Sequence, residues 1–184
     1  MKPALCLLGT ARYGRPLSPT ADRKFRLLAE LADVHVVAFA DGLRPRRFRQ
    51  HAAFVLLPAP PSAVVRRAVF LAVAPAVLLW LVAVRGLEVV IAQSPYEAAA
   101  AVAVKRLARL LRRRVAVAVE SHGDFEESFF LYRRPRFPRL WRAAMRGALR
   151  IAARHADVLR AVSDATRRQL ERAMPGRPVV QFPT

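Results

Sequence analysis

The chain has 184 residues, enough for one domain that buries about two thirds of the surface of its unfolded form. Its balance of 54% hydrophobic and 24% charged residues excludes an intrinsically disordered chain. Lysine and arginine number 32 against 13 acidic residues, and the formal net charge of +19 predicts attraction to polyanions: nucleic acid, anionic lipid headgroups or phosphorylated ligands. The single cysteine, Cys6, cannot form an internal disulfide, which suits a reducing cytoplasm.

Strand and helix patterns alternate along the chain. Short apolar runs predict strands at residues 3–9, 34–40, 54–58, 89–94, 115–120, 157–163 and 178–182. Helices are predicted between them, the first one capped by Thr20 or Asp22 and the later ones over about 96–113, 138–154 and 164–174. This alternation predicts a Rossmann-like α/β fold: a doubly wound, mostly parallel sheet of about seven strands with helices on both faces.

Residues 68–84 form a long uncharged run that contains Pro75. The run is close to the shortest length that can cross a bilayer as a helix. A membrane span here would put the neighbouring predicted strands on opposite sides of the membrane. Because those strands are expected in one sheet, we predict a helix that is either buried or in contact with a bilayer.

Ligands of such sheets bind beyond the carboxyl ends of the strands, so the residues that follow each predicted strand are candidates for lining a cleft. The loop at 9–20 is not the glycine-rich nucleotide-binding fingerprint, but it offers two glycines for tight backbone and two arginines beside a tyrosine. An ordinary polar loop is the alternative. The candidate cleft-lining residues are Arg12, Tyr13, Gly14, Arg15, Gln93, Ser94, Gly123, Asp124 and Ser163.

The segment ESHGDFEESF at 120–129 places His122 directly after a predicted buried strand. Imidazole can donate or accept a hydrogen bond near neutral pH, and Gly123 lets the backbone approach a ligand closely. His122 is therefore a candidate functional residue, with a structural histidine as the alternative. The other three histidines, His35, His51 and His155, are interpreted as structural.

Two predicted helices carry rows of basic residues. The first row contains Lys105, Arg109 and Arg112, and the second contains Arg139, Arg142, Arg146 and Arg150. Each basic side chain near an anionic bilayer contributes about 1 kcal/mol to binding, so these rows predict docking on a membrane surface. The alternative is a solvated helix face in a chain rich in arginine.

Three segments carry a resemblance to a known family: VVIAQSPYEAAAA (89–101), ESHGD (120–124) and ADVLRAVSDATRRQL (156–170). In this order they resemble the N-terminal, acceptor-side domain of family-4-like glycosyltransferases of the GT-B fold, over essentially all of residues 1–184. The resemblance implies a retaining transferase without a catalytic metal, in which His122 is the catalytic residue that contacts the transferred sugar. The usual pair of glycines in the first loop is missing, and RYGR stands in its place.

The resemblance also implies a partner: a C-terminal donor-binding domain, in cis or in trans, that holds a UDP- or GDP-sugar. This chain would bind no cofactor alone, and we expect it to be inactive because half a cleft cannot position both substrates. The end of the chain at Thr184, directly after a predicted strand, is interpreted as a cut at a domain boundary. Many relatives use lipid-linked acceptors, so we expect a sugar or lipid-linked acceptor and a peripheral position at the cytoplasmic, inner face of the membrane.

Two other functions stay open. A non-catalytic, basic membrane-surface or scaffold domain of the same fold would bind liposomes that contain anionic lipid, with or without a C-terminal partner. A nucleic-acid binder is compatible with the charge. Nucleic acid is not the expected partner, however, because the sequence shows neither the aromatic motifs of RNA recognition nor a helix-turn-helix.

Overall fold

A computed structural model describes residues 2–121 and 137–181. The described elements are β1 (Ala4–Tyr13), α1 (Pro19–Leu31), β2 (Asp33–Ala40), β3 (Arg46–Gln50), β4 (Ala52–Leu57), α2 (Ala63–Arg85), β5 (Val89–Ala92), α3 (Pro95–Leu110), β6 (Ala116–Ser121), α4 (Pro138–His155), β7 (Val158–Ala161), α5 (Asp164–Ala173) and β8 (Val179–Gln181).

The described strands form one eight-stranded sheet in the order β3-β4-β2-β1-β5-β6-β7-β8. Every neighbouring pair is parallel except β3 and β4, which form an antiparallel hairpin. The chain winds outward from β1 in one direction and from β5 in the other, so the order reverses between these two central strands. The predicted Rossmann-like, mostly parallel sheet is confirmed, and its topological switch point lies at β1 and β5.

The strand that the sequence did not predict is β3, with the sequence RRFRQ. It lies at the edge of the sheet, where basic side chains hinder pairing with other chains. Its one aromatic residue, Phe48, stacks on Phe54 of β4 with ring centroids 4.6 Å apart. The hairpin turns at His51, whose φ of 56° is in the left-handed region. Phe48 is partly buried and packs against the core cluster that contains Phe25 and Phe54.

Helices cover both faces of the sheet, as predicted. On one face, α1 contributes Phe25 to a core cluster that includes Val36 and Phe54. On the other face, α2, α3, α4 and α5 contribute to a larger cluster together with the opposite side chains of the strands, among them Leu8 and Val119. Helix α3 packs between α2 and α4 in this second layer.

The cap of α1 differs from the predicted one. Ser18 is the N-cap, and its side chain accepts a hydrogen bond from the backbone N–H three residues on. Thr20 and Asp22 lie inside the helix. The carboxylate of Asp22 instead accepts a 2.7 Å hydrogen bond from Gln50 and lies 3.0 Å from Nε2 of His51. Asp22 therefore joins the first turn of α1 to the β3–β4 hairpin.

Helix α2 is, within the described residues, the one helix long and apolar enough to cross a membrane, and 28% of its most apolar 18-residue window is buried. The buried residues recur at helical spacing along one side: Phe70, Ala74, Leu78, Leu81 and Val82. These side chains belong to the core cluster of the second layer. Strands β4 and β5, which flank α2 in the chain, lie in the same sheet, so α2 packs along that sheet by one side.

Candidate functional site

The carboxyl ends of β1 and β5 approach each other closely at the switch point. The backbone N–H of Gln93, directly after β5, donates a 3.0 Å hydrogen bond to the carbonyl of Leu8 in β1. The next residue of β1, Gly9, faces the side chain of Gln93 so closely that a Cβ at this position would overlap its carboxamide oxygen. Gln93 therefore lies at the crevice of the sheet, where it was predicted, and the absence of a side chain at Gly9 makes room for it.

Gly9→Ala is expected to destabilise the fold by about 1–2 kcal/mol, because the added methyl group must displace the side chain of Gln93. The loss should largely disappear in the double variant Gly9→Ala/Gln93→Ala. Urea unfolding of the single and double variants measures this coupling. Gly42→Ala is the matched control, since a Cβ there would meet nothing within 4 Å. Additive losses in the double variant would contradict the contact.

Strand β1 extends beyond its predicted end at Gly9. Its pairing with β2 shifts register after Leu8 and resumes at Arg12 and Tyr13, so both residues lie in the strand and not in a loop. The ring of Tyr13 packs edge-on against Phe25 and Phe54, with both centroid distances 5.6 Å. Burial raises the pKa of Tyr13. The aromatic ring thus belongs to the core under α1, which corrects the predicted loop.

The turn after β1 meets the turn after β2. A Cβ at Gly14 would lie 2.9 Å from Oδ2 of Asp41, and the same carboxylate is 3.4 Å from the guanidinium of Arg46. Arg12 and Arg15 are exposed on either side of this contact. Of the residues predicted to form the loop, Arg12 and Arg15 thus have exposed side chains, and the backbone of Gly14 lies close to the side chain of Asp41.

Both predicted serines cap helices at this edge of the sheet. The hydroxyl of Ser94 accepts a 3.3 Å hydrogen bond from the backbone N–H of Tyr96 at the start of α3. Ser163 begins α5 in a reciprocal capping box with Thr166. Both hydroxyls are thus engaged in holding helix starts, and each helix directs its positive N-terminal end toward the carboxyl edge.

A buried polar cluster behind this edge was missed from the sequence. The side chain of Glu97 is 2% exposed, and burial raises its pKa against the opposing effects of its own backbone N–H and the nearby charge of Arg67. The guanidinium of Arg67 lies 4.0 Å from the centroid of the Tyr96 ring. Within the described residues, Oε2 of Glu97 and Nη1 of Arg67 are buried without a hydrogen-bond partner. In the sequence Glu97 has the pattern of an ordinary acidic residue in a first helical turn.

His122, Gly123 and Asp124 lie outside the described residues. The last residue described before them, Ser121, is buried at the end of β6 and pairs with Ala161 of β7. No group of three or more His, Cys, Asp or Glu that could hold a metal occurs in residues 2–121 and 137–181.

The other histidines make contacts within the fold. His35 is buried in β2 with Nε2 3.4 Å from Asp33, and burial is the main cause of its lowered pKa. His51 lies beside Asp22, and Nε2 of His155 is 2.8 Å from the guanidinium of Arg106. These contacts agree with the structural interpretation of all three.

The two basic rows have different surroundings. In the first row, Nζ of Lys105 donates to both carboxylate oxygens of Asp157 at 2.6 and 2.7 Å, and its side chain is only 14% exposed. Lys105 is thus an internal ion-pair residue rather than part of a free basic face. Arg109 is exposed on the last turn of α3, and Arg112 follows the helix near the amino ends of the strands. In the second row, all four residues are exposed along α4: Arg139, Arg142, Arg146 and Arg150.

The doubly wound sheet, with its switch point at β1 and β5 and capped helix starts at its carboxyl edge, matches the fold of one half of solved GT-B glycosyltransferases. The family model for Glycosyltransferase Family 4 matches residues 24–184. The chain therefore belongs to that family. No curated protein matches the sequence significantly.

Solved glycosyltransferases share the fold at low sequence identity. A sucrose-phosphate synthase structure from Thermosynechococcus elongatus aligns with a TM-score of 0.63 and 10% identity over 98% of this chain and 88% of its own. HepE from Anabaena, in complex with UDP, aligns with a TM-score of 0.57 and 17% identity over 97% of this chain and 43% of its own. The lipopolysaccharide outer core galactosyltransferase WaaB aligns with a TM-score of 0.53 and 10% identity over 93% of this chain and 42% of its own. The chain thus spans less than half the length of HepE and WaaB.

Proposed function

We propose that this domain is the N-terminal, acceptor-side half of a retaining, sugar-nucleotide-dependent glycosyltransferase that works at the cytoplasmic face of a membrane. The observation that carries the proposal is the switch-point crevice, where Gly9 makes room for Gln93, in a chain of Glycosyltransferase Family 4. Ligands of doubly wound sheets bind at this position.

The donor would be a UDP- or GDP-sugar held by a C-terminal domain in cis or in trans. HepE was solved with UDP and is more than twice as long as the part that this chain matches, which leaves room for a second domain. The acceptor, a sugar or a lipid-linked sugar, would enter from the side of this domain. The exposed arginines of α4 support a position next to anionic headgroups.

In the proposed reaction, the bond between the anomeric carbon and the diphosphate breaks while the acceptor oxygen bonds to the same carbon on the same face. The nucleoside diphosphate leaves with the bonding electrons, and its leaving oxygen takes the proton of the acceptor hydroxyl. Transfer of this kind depends on positioning the two substrates and on stabilising the charge that develops between the domains. We assign His122 to a hydrogen bond with the transferred sugar, and Gln93 to the wall of the crevice between β1 and β5.

The test joins this chain to a donor-binding domain of the family and measures transfer from UDP- and GDP-sugars. His122→Ala should lower kcat about 100-fold or more, as the loss of one preorganised hydrogen bond does in other enzymes. His155→Ala is the matched control, since this residue ends α4 at the opposite edge of the sheet, and it should leave kcat unchanged. Transfer by the chain alone, or full activity of His122→Ala, would refute the assignment.

A non-catalytic membrane-surface domain is the second candidate, and the exposed arginine row of α4 favours it. If the domain is non-catalytic, it should bind anionic vesicles, and no donor-binding domain joined to it should give glycosyl transfer. The same joined protein therefore separates the two functions.

A further inference from the structure

The side of α2 that faces away from the sheet is apolar and exposed along the whole helix. With 23 residues, α2 is about 35 Å long. The side chains that form this surface, named here the outer face of α2, are Val64, Val65, Ala68, Leu71, Ala72, Val73, Ala76, Trp80, Ala83 and Val84. No charged residue lies between Arg67 and Arg85. An apolar surface of this length is uncommon on a soluble domain and marks a site of contact with another apolar phase.

Positive charge flanks the outer face. Trp80 is 41% exposed, and the guanidinium groups of Arg47 and Arg85 each lie 5.9 Å from the centroid of its ring. Tryptophan with arginine beside it is the combination that favours the boundary between lipid headgroups and acyl chains.

The neighbouring helices α3 and α4 also expose apolar and basic side chains. Helices α2, α3 and α4 pack side by side in one layer and contain a single acidic residue, Glu97, which is 2% exposed. These three helices therefore present no exposed carboxylate, whereas α5, the fourth helix of the layer, carries exposed Asp164 and Glu171 together with three arginines. The layer also exposes further large apolar side chains between its arginines: Leu107 and Leu110 of α3, and Leu140 and Ile151 of α4. On the opposite face of the sheet, α1 carries Asp22 and Glu30.

We propose that the outer face of α2 inserts into the headgroup and upper acyl region of an anionic bilayer, with the helix lying parallel to the membrane plane. This inference deepens the proposed membrane position, on which it rests. The opposite side of α2 is packed into the core, so the helix lies on the membrane as one wall of the domain and does not cross it. A bilayer with anionic lipid matches both the apolar outer face of α2 and the positive charge of α2, α3 and α4. A protein partner would instead need an apolar groove about as long as α2 with acidic residues along its rim.

The first experiment measures binding of the purified chain to phosphatidylcholine vesicles with and without phosphatidylglycerol. Val65→Glu and Ala76→Glu should each weaken binding to the anionic vesicles about tenfold, because each loses apolar contact and brings a carboxylate to an anionic surface. Leu31→Glu is the matched control: Leu31 is 73% exposed at the end of α1, on the other face of the sheet, and this variant should bind as the wild type does.

The second experiment reports insertion directly. The chain has two tryptophans, so Trp141→Phe leaves Trp80 as the only one. Its emission should shift to shorter wavelength when anionic vesicles are added, and lipids brominated high on the acyl chains should quench it. This measurement does not require any destabilising substitution in α2.

The outcomes separate the inference from the proposed function. If Arg139→Gln and Arg146→Gln weaken binding while the two α2 variants do not and Trp80 is not quenched, docking by arginines stands and insertion of α2 is overturned. If the wild type binds no vesicle, or instead forms a dimer that Val65→Glu dissociates, insertion and the membrane position are both overturned. The proposal of glycosyl transfer is unaffected by either result, because it is tested with a donor domain and His122.

Discussion

Phe25→Ala is expected to destabilise the domain by about 3–5 kcal/mol, the usual cost of removing a fully buried phenylalanine. Phe25 has no exposed surface and lies edge-on to the rings of Tyr13 and Phe54, with centroids 5.6 and 4.9 Å away. Among the described helices, α1 alone covers this face of the sheet. No other described helix is therefore placed to fill the cavity that the missing ring would leave, so the cavity should stay largely empty.

Urea unfolding followed by circular dichroism measures this loss. Leu27→Ala on the same helix is the control, because Leu27 is 50% exposed and its truncation should change the free energy of unfolding by about 0.5 kcal/mol or less. A loss below about 1 kcal/mol for Phe25→Ala would show that the face collapses around the missing ring.

The parallel core of the sheet could be predicted because its strands are buried on both faces. Runs such as 34–40 and 115–120 are short, apolar and rich in valine, which leaves little alternative to a strand. The edge strand β3 gives no such signal. Four of its five residues are basic or amidic, the fifth is a phenylalanine, and its pairing with β4 follows the turn at His51 rather than a hydrophobic pattern.

The ends of strands were less predictable than their centres. Glycine usually signals the end of a strand, and Gly9 was interpreted in that way. In the structure β1 continues for four residues beyond Gly9, to Tyr13, because β2 offers further pairing partners after a register shift. The glycine is needed for the approach of Gln93, a residue far away in the sequence. Local propensity contains no information about such a neighbour.

The location of a candidate residue at the edge of the sheet follows from topology, whereas its contacts depend on packing. Gln93, Ser94 and Ser163 follow parallel strands, and parallel strands end at a common edge, so their shared location follows from topology alone. The surroundings of Lys105 and Glu97 depend on packing between elements. Helical spacing assigns Lys105 to a basic row, but its partner lies 52 residues away in the α4–β7 connection, and the burial of Glu97 comes from its packed neighbours.

Asp157→Ala is expected to destabilise the domain by about 1–2 kcal/mol at neutral pH, a range that allows for solvent screening because the carboxylate is 43% exposed. The carboxylate of Asp157 accepts hydrogen bonds from Lys105 and, at 2.7 Å, from the backbone N–H of Val117 in β6. It thus joins α3, β6 and the start of β7. Removing it leaves the ammonium group of Lys105, whose side chain is 14% exposed, with the carbonyl of His155 as its remaining acceptor.

The loss should depend on pH. Burial acts to raise the pKa of Asp157, but the hydrogen bonds from Lys105 and Val117 and the charges of Lys105 and Arg109 outweigh it and hold the pKa below the usual 3.8. A carboxyl group whose pKa is lower in the folded than in the unfolded state stabilises the fold above the unfolded-state pKa, and that contribution is lost as the pH falls through the folded-state pKa. The difference between wild type and Asp157→Ala should therefore be constant from neutral pH to about pH 5 and shrink at lower pH.

Urea unfolding of both proteins across this pH range measures the change. Glu171→Gln is the matched control, because Glu171 forms a half-exposed pair with Arg167 at 3.6 Å within α5, and such pairs contribute about 0.5 kcal/mol or less. A loss for Asp157→Ala that stays the same in acid would mean that shape rather than the ionised carboxylate holds the three elements together. The expected decline in acid would instead show that the ionised carboxylate itself helps to hold α3, β6 and β7 together.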